Sequence, residues 1–226
     1  MHLVSKNDEI PAAPLAIPIV DPPAWKSCAA WCRLVGVFIP VMFLDLATKA
    51  WAFRCVAPAP IELDREAVLS DPNFRLPYHE GIELIPWGLL DLRLVLNHGA
   101  VFGIGQGSRM TFIVFTFAAT TAALLLFARG TRASMRLSHC AIALILAGGL
   151  GNLLDRMHYG AVRDFLHMLP GWDLPFAWQW PGCETSEVFP WIFNVADVSL
   201  LAGMALFLFA SWKSEKSIAP SIIQQV

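Results

Sequence analysis

Four windows of the chain, roughly residues 31 to 53, 110 to 128, 137 to 157 and 189 to 212, are continuously apolar or nearly so. About 20 such residues cross the hydrocarbon core of a bilayer as a helix, so these windows predict four transmembrane helices. Trp31 and Trp51 bracket the first and Trp191 and Trp212 the last. Each pair lies about 30 Å apart at the rise of an α-helix, the spacing of two interfacial aromatic belts. With 56% hydrophobic and only 15% charged residues, an ordinary soluble domain is excluded. A formal net charge of −2 without a long run of one sign excludes a nucleic-acid face.

Direction follows from the connectors. RGTRASMR, between the second and third windows, carries Arg129, Arg132 and Arg136 and no acid, which predicts a cytoplasmic loop. Four spans then leave both termini inside, in agreement with Lys26, Arg33, Lys213 and Lys216 near those ends. Residues 1 to 30 read as a cytoplasmic extension, 31 to 212 as one integral membrane domain and 213 to 226 as a cytoplasmic tail. The outer connector 54 to 109 contains IELI and LRLVLN, whose alternation predicts short strands in a small extracytoplasmic β region. The connector 158 to 188 carries Trp172, Phe176, Trp178 and Trp180, an aromatic group suited to an interfacial anchor or to a cover over a site. The expected fold is an all-α membrane protein of four transmembrane helices with that β region and interfacial loops.

The polar residues of the spans all fall toward the outer end. Asp45 and Lys49 stand at i and i+4 in the outer half of the first helix and predict an ion pair. Asn152, Asp155 and Arg156 lie in the last turns of the third helix, with Asp155 and Arg156 expected to neutralise each other. Asn194 and Asp197 open the fourth, within a 25-residue apolar run from Val188 to Trp212 whose only charge is Asp197. Asn97 and Asp164 sit in the outer connectors. Polar groups at membrane depth are costly, so convergence on one level predicts a site. Asp164 and Asp197 differ from the rest, because neither has a basic partner on its own helix face. Two carboxylates near lipid share a proton, the state in which one activates water while the other donates to a carbonyl. Gly148, Gly149 and Gly151, with Ala143 and Ala147, predict close helix packing beside that level.

DLATK (45 to 49), NHGAVFG (97 to 103), GGLGNLLDR (148 to 156), VRDFL (162 to 166) and FNVAD (193 to 197) resemble, in order and spacing, the blocks of the bacterial lipoprotein signal peptidases, or signal peptidase II. The resemblance covers residues 31 to 212. It implies an inner-membrane aspartyl endopeptidase that removes signal peptides from prolipoproteins, cutting before the diacylglyceryl-modified cysteine. Carried over by position, it implies that Asp164 and Asp197 are catalytic. Asn97, Gly99, Asn152, Asp155, Arg156, Asn194, Asp45 and Lys49 would bind substrate or support the dyad. It further implies block by the cyclic peptide globomycin and contact with membrane lipids. The chain departs from the family pattern in its first 25 residues, a longer connector 54 to 90, an aromatic insertion at 166 to 190, and His98 and Val101 within NHGAVFG.

Five cysteines without a CxxC pair give no metal site, and no cofactor is expected. A Cys55–Cys183 disulfide is open on the outer side, and a monomer is expected. The rival class is a transporter or proton-coupled carrier with an outward-facing polar site, although a transport path needs polar residues through the full thickness. A serine-type intramembrane protease fits less well, since His139, the only histidine in a span, lies at the inner end.

Overall fold

A computed structural model describes residues 21–71, 74–99, 109–183 and 185–223. In chain order these form α1 (Cys28–Cys55), α2 (Arg65–Ser70), β1 (Ile82–Ile85), β2 (Leu90–Asn97), α3 (Arg109–Leu125), α4 (Arg136–His158), β3 (Val162–Met168), β4 (Ile192–Phe193) and α5 (Val195–Ile223). The last turn of α3 widens into a π-helix over Leu126–Gly130. Four segments, Cys28–Cys55, Met110–Gly130, Arg136–His158 and Val195–Lys213, are long and apolar enough to cross a membrane.

α4 is the central helix. Its apolar window is 61% buried, against 17%, 6% and 22% for those of α1, α3 and α5, and all three pack on it. Close approach is built into its sequence. A Cβ on Gly148 would collide with the Ala196 carbonyl oxygen of α5, and one on Gly151 with the Asp45 carboxylate of α1. Gly149 meets only Thr116, at an ordinary 3.9 Å, so two of the three glycines are required by packing and the third is not.

IELI and LDLRLVLN form the antiparallel pair β1–β2, as the alternation predicts, and the sheet continues as β1-β2-β3-β4. β3 and β4 were not expected. VRDFL sets Arg163 and Asp164 side by side, one on each face, and in the sheet its first four residues are all buried, so no alternation betrays it. The fourth span starts at Val195 and not near 189. Pro190 cannot continue a helix hydrogen-bond ladder and disfavours helical backbone at Phe189, while Ile192 and Phe193 pair with His167 and Leu166. Trp191 therefore stands outside the helix and does not bracket it, whereas Trp212 lies on α5.

At the opposite end of the bundle, Ala24 N–H donates to Thr131 O at 2.9 Å and Ala133 N–H to Pro22 O at 2.8 Å. The described part of the N-terminal extension is thus stitched to the arginine-rich α3–α4 connector. Cys55 and Cys183 are both free, so the open disulfide does not form.

Candidate active site

The polar residues of α1, α4, β3 and α5 meet at the end of the bundle that carries the sheet. Asn194 is the N-cap of α5, and its reason for lying in an apolar run is now visible. Its side-chain oxygen accepts from Asp197 N–H at 3.1 Å, and the Asp197 carboxylate accepts from Asn194 N–H at 3.1 Å. This reciprocal capping box satisfies helix-end donors that lipid could not. Asp45 satisfies another, accepting from Ala196 N–H at 2.9 Å.

The same groups tie the two aspartates together. Each of their four carboxylate oxygens accepts one N–H. Asp164 takes Asn97 Nδ2 at 3.0 Å and Asn194 Nδ2 at 2.5 Å. Asp197 takes Asn152 Nδ2 at 2.7 Å and the Asn194 backbone. Asn194 Nδ2 also reaches Asn152 Oδ1, at 3.1 Å. One amide thus bridges α4, β3 and α5.

Behind this layer lies Lys49, wholly buried. Its Nζ donates to Asp45 at 2.9 Å and to Asn152 Oδ1 at 3.0 Å, and lies 3.5 Å from Asp155. The i, i+4 pair expected on α1 is therefore formed. The couple expected between Asp155 and Arg156 is not. Consecutive residues on a helix point about 100° apart, and Asp155 instead binds Arg163, whose Nη2 donates at 2.8 Å and whose backbone N–H donates at 3.0 Å. Arg156 reaches Gly99 O at 2.7 Å and stacks 5.2 Å from the Phe112 ring. Gly99 N–H donates to Asn97 Oδ1 at 3.0 Å, so Arg156 and Gly99 hold the loop that aims Asn97 at Asp164. Ala100 to Gly103 of that block lie outside the described residues.

Sequence reasoning missed Arg163. It sits beside Asp164 on β3 with its side chain on the opposite face, packed 4.4 Å from the Tyr159 ring. Its contacts fix the height of β3 against α4. Replacing it leaves the Asp155 carboxylate buried and facing Lys49 alone. Arg163→Ala is expected to cost about 3 kcal/mol of stability, read as a lowered melting temperature of the purified protein, with Arg163→Lys recovering part of the loss.

Among the acids of the cluster, Asp164 is the one most strongly perturbed by its surroundings. Burial, and then the neighbouring Asp197 charge, push its carboxyl up to about 8, against opposing hydrogen bonds from Asn97 and Asn194 and the Lys49 charge. Charge balance agrees. The carboxylates of Asp45, Asp155, Asp164 and Asp197 face the cations Lys49, Arg156 and Arg163, so the cluster is neutral when the two aspartates hold one proton between them. That arrangement supplies a proton acceptor and a proton donor at one place. All ten residues singled out from the sequence belong to this cluster or hold it directly.

The sequence profile described as signal peptidase (SPase) II matches residues 37–213, well over half of the chain. The chain is 34% identical over 140 residues to the lipoprotein signal peptidase of Syntrophotalea carbinolica, covering 61% of this chain and 77% of that protein. It is 28% identical over 191 residues to the lipoprotein signal peptidase of Yersinia pestis, covering 83% and 90%. A bacterial membrane enzyme solved by the in meso method at 2.3 Å resolution shares the fold, with a TM-score of 0.57 at 24% identity over 81% of this chain and 90% of that one. The chain is a multi-pass membrane protein and belongs to the signal peptidase II family of proteases.

Proposed function

We propose that the chain is an aspartic endopeptidase that cleaves prolipoproteins immediately before their diacylglyceryl-modified cysteine. The observation that carries this reading is the pairing of Asp164 and Asp197 through Asn194, at the sheet end of the membrane helices. In the reaction, the ionised member of the pair takes a proton from water as the water attacks the scissile carbonyl. The protonated member donates to that carbonyl; as the C–N bond breaks, the proton taken from water passes to the departing amine and a hydroxyl of the tetrahedral intermediate returns a proton to the other aspartate. Asn97, Asn152 and Asn194 keep the carboxyls in register, while Lys49, Asp45, Asp155 and Arg163 form a rigid support beneath them.

Depth suits the substrate. Acyl chains on the cysteine stay in the bilayer, so the bond beside them must be cut at membrane level, where α5 begins at the site. The arginine-rich α3–α4 connector and residues 22–24 bonded to it lie at the other end of the bundle, which supports cytoplasmic termini and a site facing the outer side of the inner membrane.

The purified protein in bilayers is expected to release the signal peptide from a diacylglyceryl-modified prolipoprotein and to be blocked by globomycin. Equal cleavage of the unmodified form would overturn the lipid-dependent reading. The pH profile supplies a second check. Because Asp164 holds its proton to about 8 rather than to the ordinary carboxyl value of 3.8, kcat/KM is expected to fall about tenfold per pH unit above that point, as the dyad loses its shared proton. The folded protein retains between those values a proton that the unfolded chain has released, so its stability declines as pH rises through the same window.

A further inference from the structure

The aromatic extension between β3 and β4 leaves β3 at Leu169, five residues beyond Asp164, or about 17 Å along the strand. It folds against the tip of the β1–β2 hairpin. Leu169 N–H donates to Leu89 O at 3.1 Å and Trp172 Nε1 to Trp87 O at 3.2 Å. Its two limbs are sewn together by Val188 N–H to Trp172 O at 2.6 Å, Leu174 N–H to Ser186 O at 2.7 Å and Trp180 Nε1 to Val188 O at 3.1 Å. Extension and hairpin tip are one body.

That body turns its largest apolar side chains outward. Phe176 is 90% exposed, Trp87 83% and Trp178 69%, beside the exposed Leu84 and Ile85 of β1. Phe176 and Ala177 both adopt left-handed backbone, at φ +62° and +54°. This costs about 1 kcal/mol or more each for residues with a Cβ, and among the described residues nothing buries the Phe176 ring in return. From Leu174 to Cys183, the stretch that carries Phe176, Trp178 and Trp180, there is no charged residue; the acids of the extension, Asp173, Glu184 and Glu187, flank it.

Its position names the occupant. Rings of Trp180, Trp191, Phe189 and Phe193 run in sequence at centroid spacings of 5.5, 5.4 and 5.6 Å. They end two residues before α5 enters its membrane span at Val195. The exposed rings thus continue from the membrane boundary of α5. Tryptophan, with an apolar body and one N–H, is the residue that settles at lipid headgroups.

We infer that the 170–190 extension and the β1–β2 tip form a foot that rests its aromatic side chains in the headgroup layer of the leaflet nearest the sheet. The foot is coupled to the strand bearing Asp164 through β3–β4 pairing and the buried His167, whose Nε2 lies 3.4 Å from Glu187. This inference requires only that the chain spans a membrane, not that it cleaves any substrate.

The test uses the full chain in bilayer nanodiscs of phosphatidylethanolamine and phosphatidylglycerol. The emission lost on Trp178→Phe, which keeps an aromatic ring, isolates Trp178. Trp87→Phe gives an independent reading at the hairpin tip. Chains brominated near the carbonyl end are expected to quench the Trp178 share about twofold more than chains brominated near the methyl end. Acrylamide should quench it about threefold less than it quenches free N-acetyltryptophanamide. Ready acrylamide quenching without bromine quenching would place the foot in water and overturn the inference. Protection from both quenchers would show a protein contact, such as a second copy, and would overturn it too. So would stronger quenching by the deep bromines, which would put the ring in hydrocarbon.

Discussion

Asp164→Asn and Asp197→Asn are each expected to lower the rate of prolipoprotein cleavage by about 10³-fold or more, while the protein still inserts and accumulates. The change is isosteric, and its structural cost is bounded. At Asp164 the new amide must face one of two donors, Asn97 Nδ2 or Asn194 Nδ2. At Asp197 it must face Asn152 Nδ2 or the Asn194 backbone N–H. One donor-to-donor contact costs about 1–3 kcal/mol. Removing a carboxylate that competes with its neighbour for one proton offsets part of that. The chemistry has no such compensation, because an amide neither accepts the proton of water nor returns one to the leaving amine. Near-normal turnover by either variant, measured at equal amounts of folded protein, would contradict the dyad.

Lys49→Ala is expected to have the opposite signature, losing folded protein before chemistry can be asked about. The ammonium group is wholly buried and is the shared counter-charge of Asp45 and Asp155. Its removal leaves two buried carboxylates on facing helices, of which Asp155 keeps Arg163 and Asp45 keeps no cation among the described residues. Breaking a buried pair by deleting one partner costs about 3–5 kcal/mol, a large part of the stability of most domains. The damage also reaches the dyad. Asn152 Oδ1 is held by Lys49, which leaves Asn152 Nδ2 pointing at Asp197. Without Lys49 that oxygen keeps only the Asn194 Nδ2 donor, and the Asn152 amide is held less firmly against Asp197. The expected measurement is a strongly lowered melting temperature and yield. A Lys49→Ala protein as stable as wild type but inactive would move Lys49 from support into the reaction itself.

The parts of this site that were legible in the sequence were those governed by depth. In lipid, a polar side chain advertises itself against its surroundings, so Asp45, Lys49, Asn152, Asp155, Asn194 and Asp197 could be placed at one level from the span positions alone. Partnership was legible only within a helix, where i and i+4 share a face, as Asp45 and Lys49 do. The Asp155–Arg163 pair lies across a chain reversal at Gly160, whose φ is +87°, and spacing alone carries no sign of that turn. The start of α5 was hidden for a related reason. Hydropathy runs unbroken from Val188 to Trp212, and what stops the helix at Val195 is the capping box of Asn194 and Asp197 together with strand pairing of Ile192 and Phe193. In the sequence both residues of the box stand out for their polarity but read as lying within a helix, not as its cap. β3 escaped notice because a strand buried on both faces lacks the alternation by which strands are read.

The most direct measurement is mass spectrometry of the products formed when wild type, Asp164→Asn and Asp197→Asn are each given the same diacylglyceryl-modified prolipoprotein in bilayers. The account predicts that wild type alone yields two fragments, an intact signal peptide and a mature chain whose first residue is the lipidated cysteine. Cleavage at another bond, no cleavage by folded wild type, or the same two fragments from either variant at a comparable rate would contradict it.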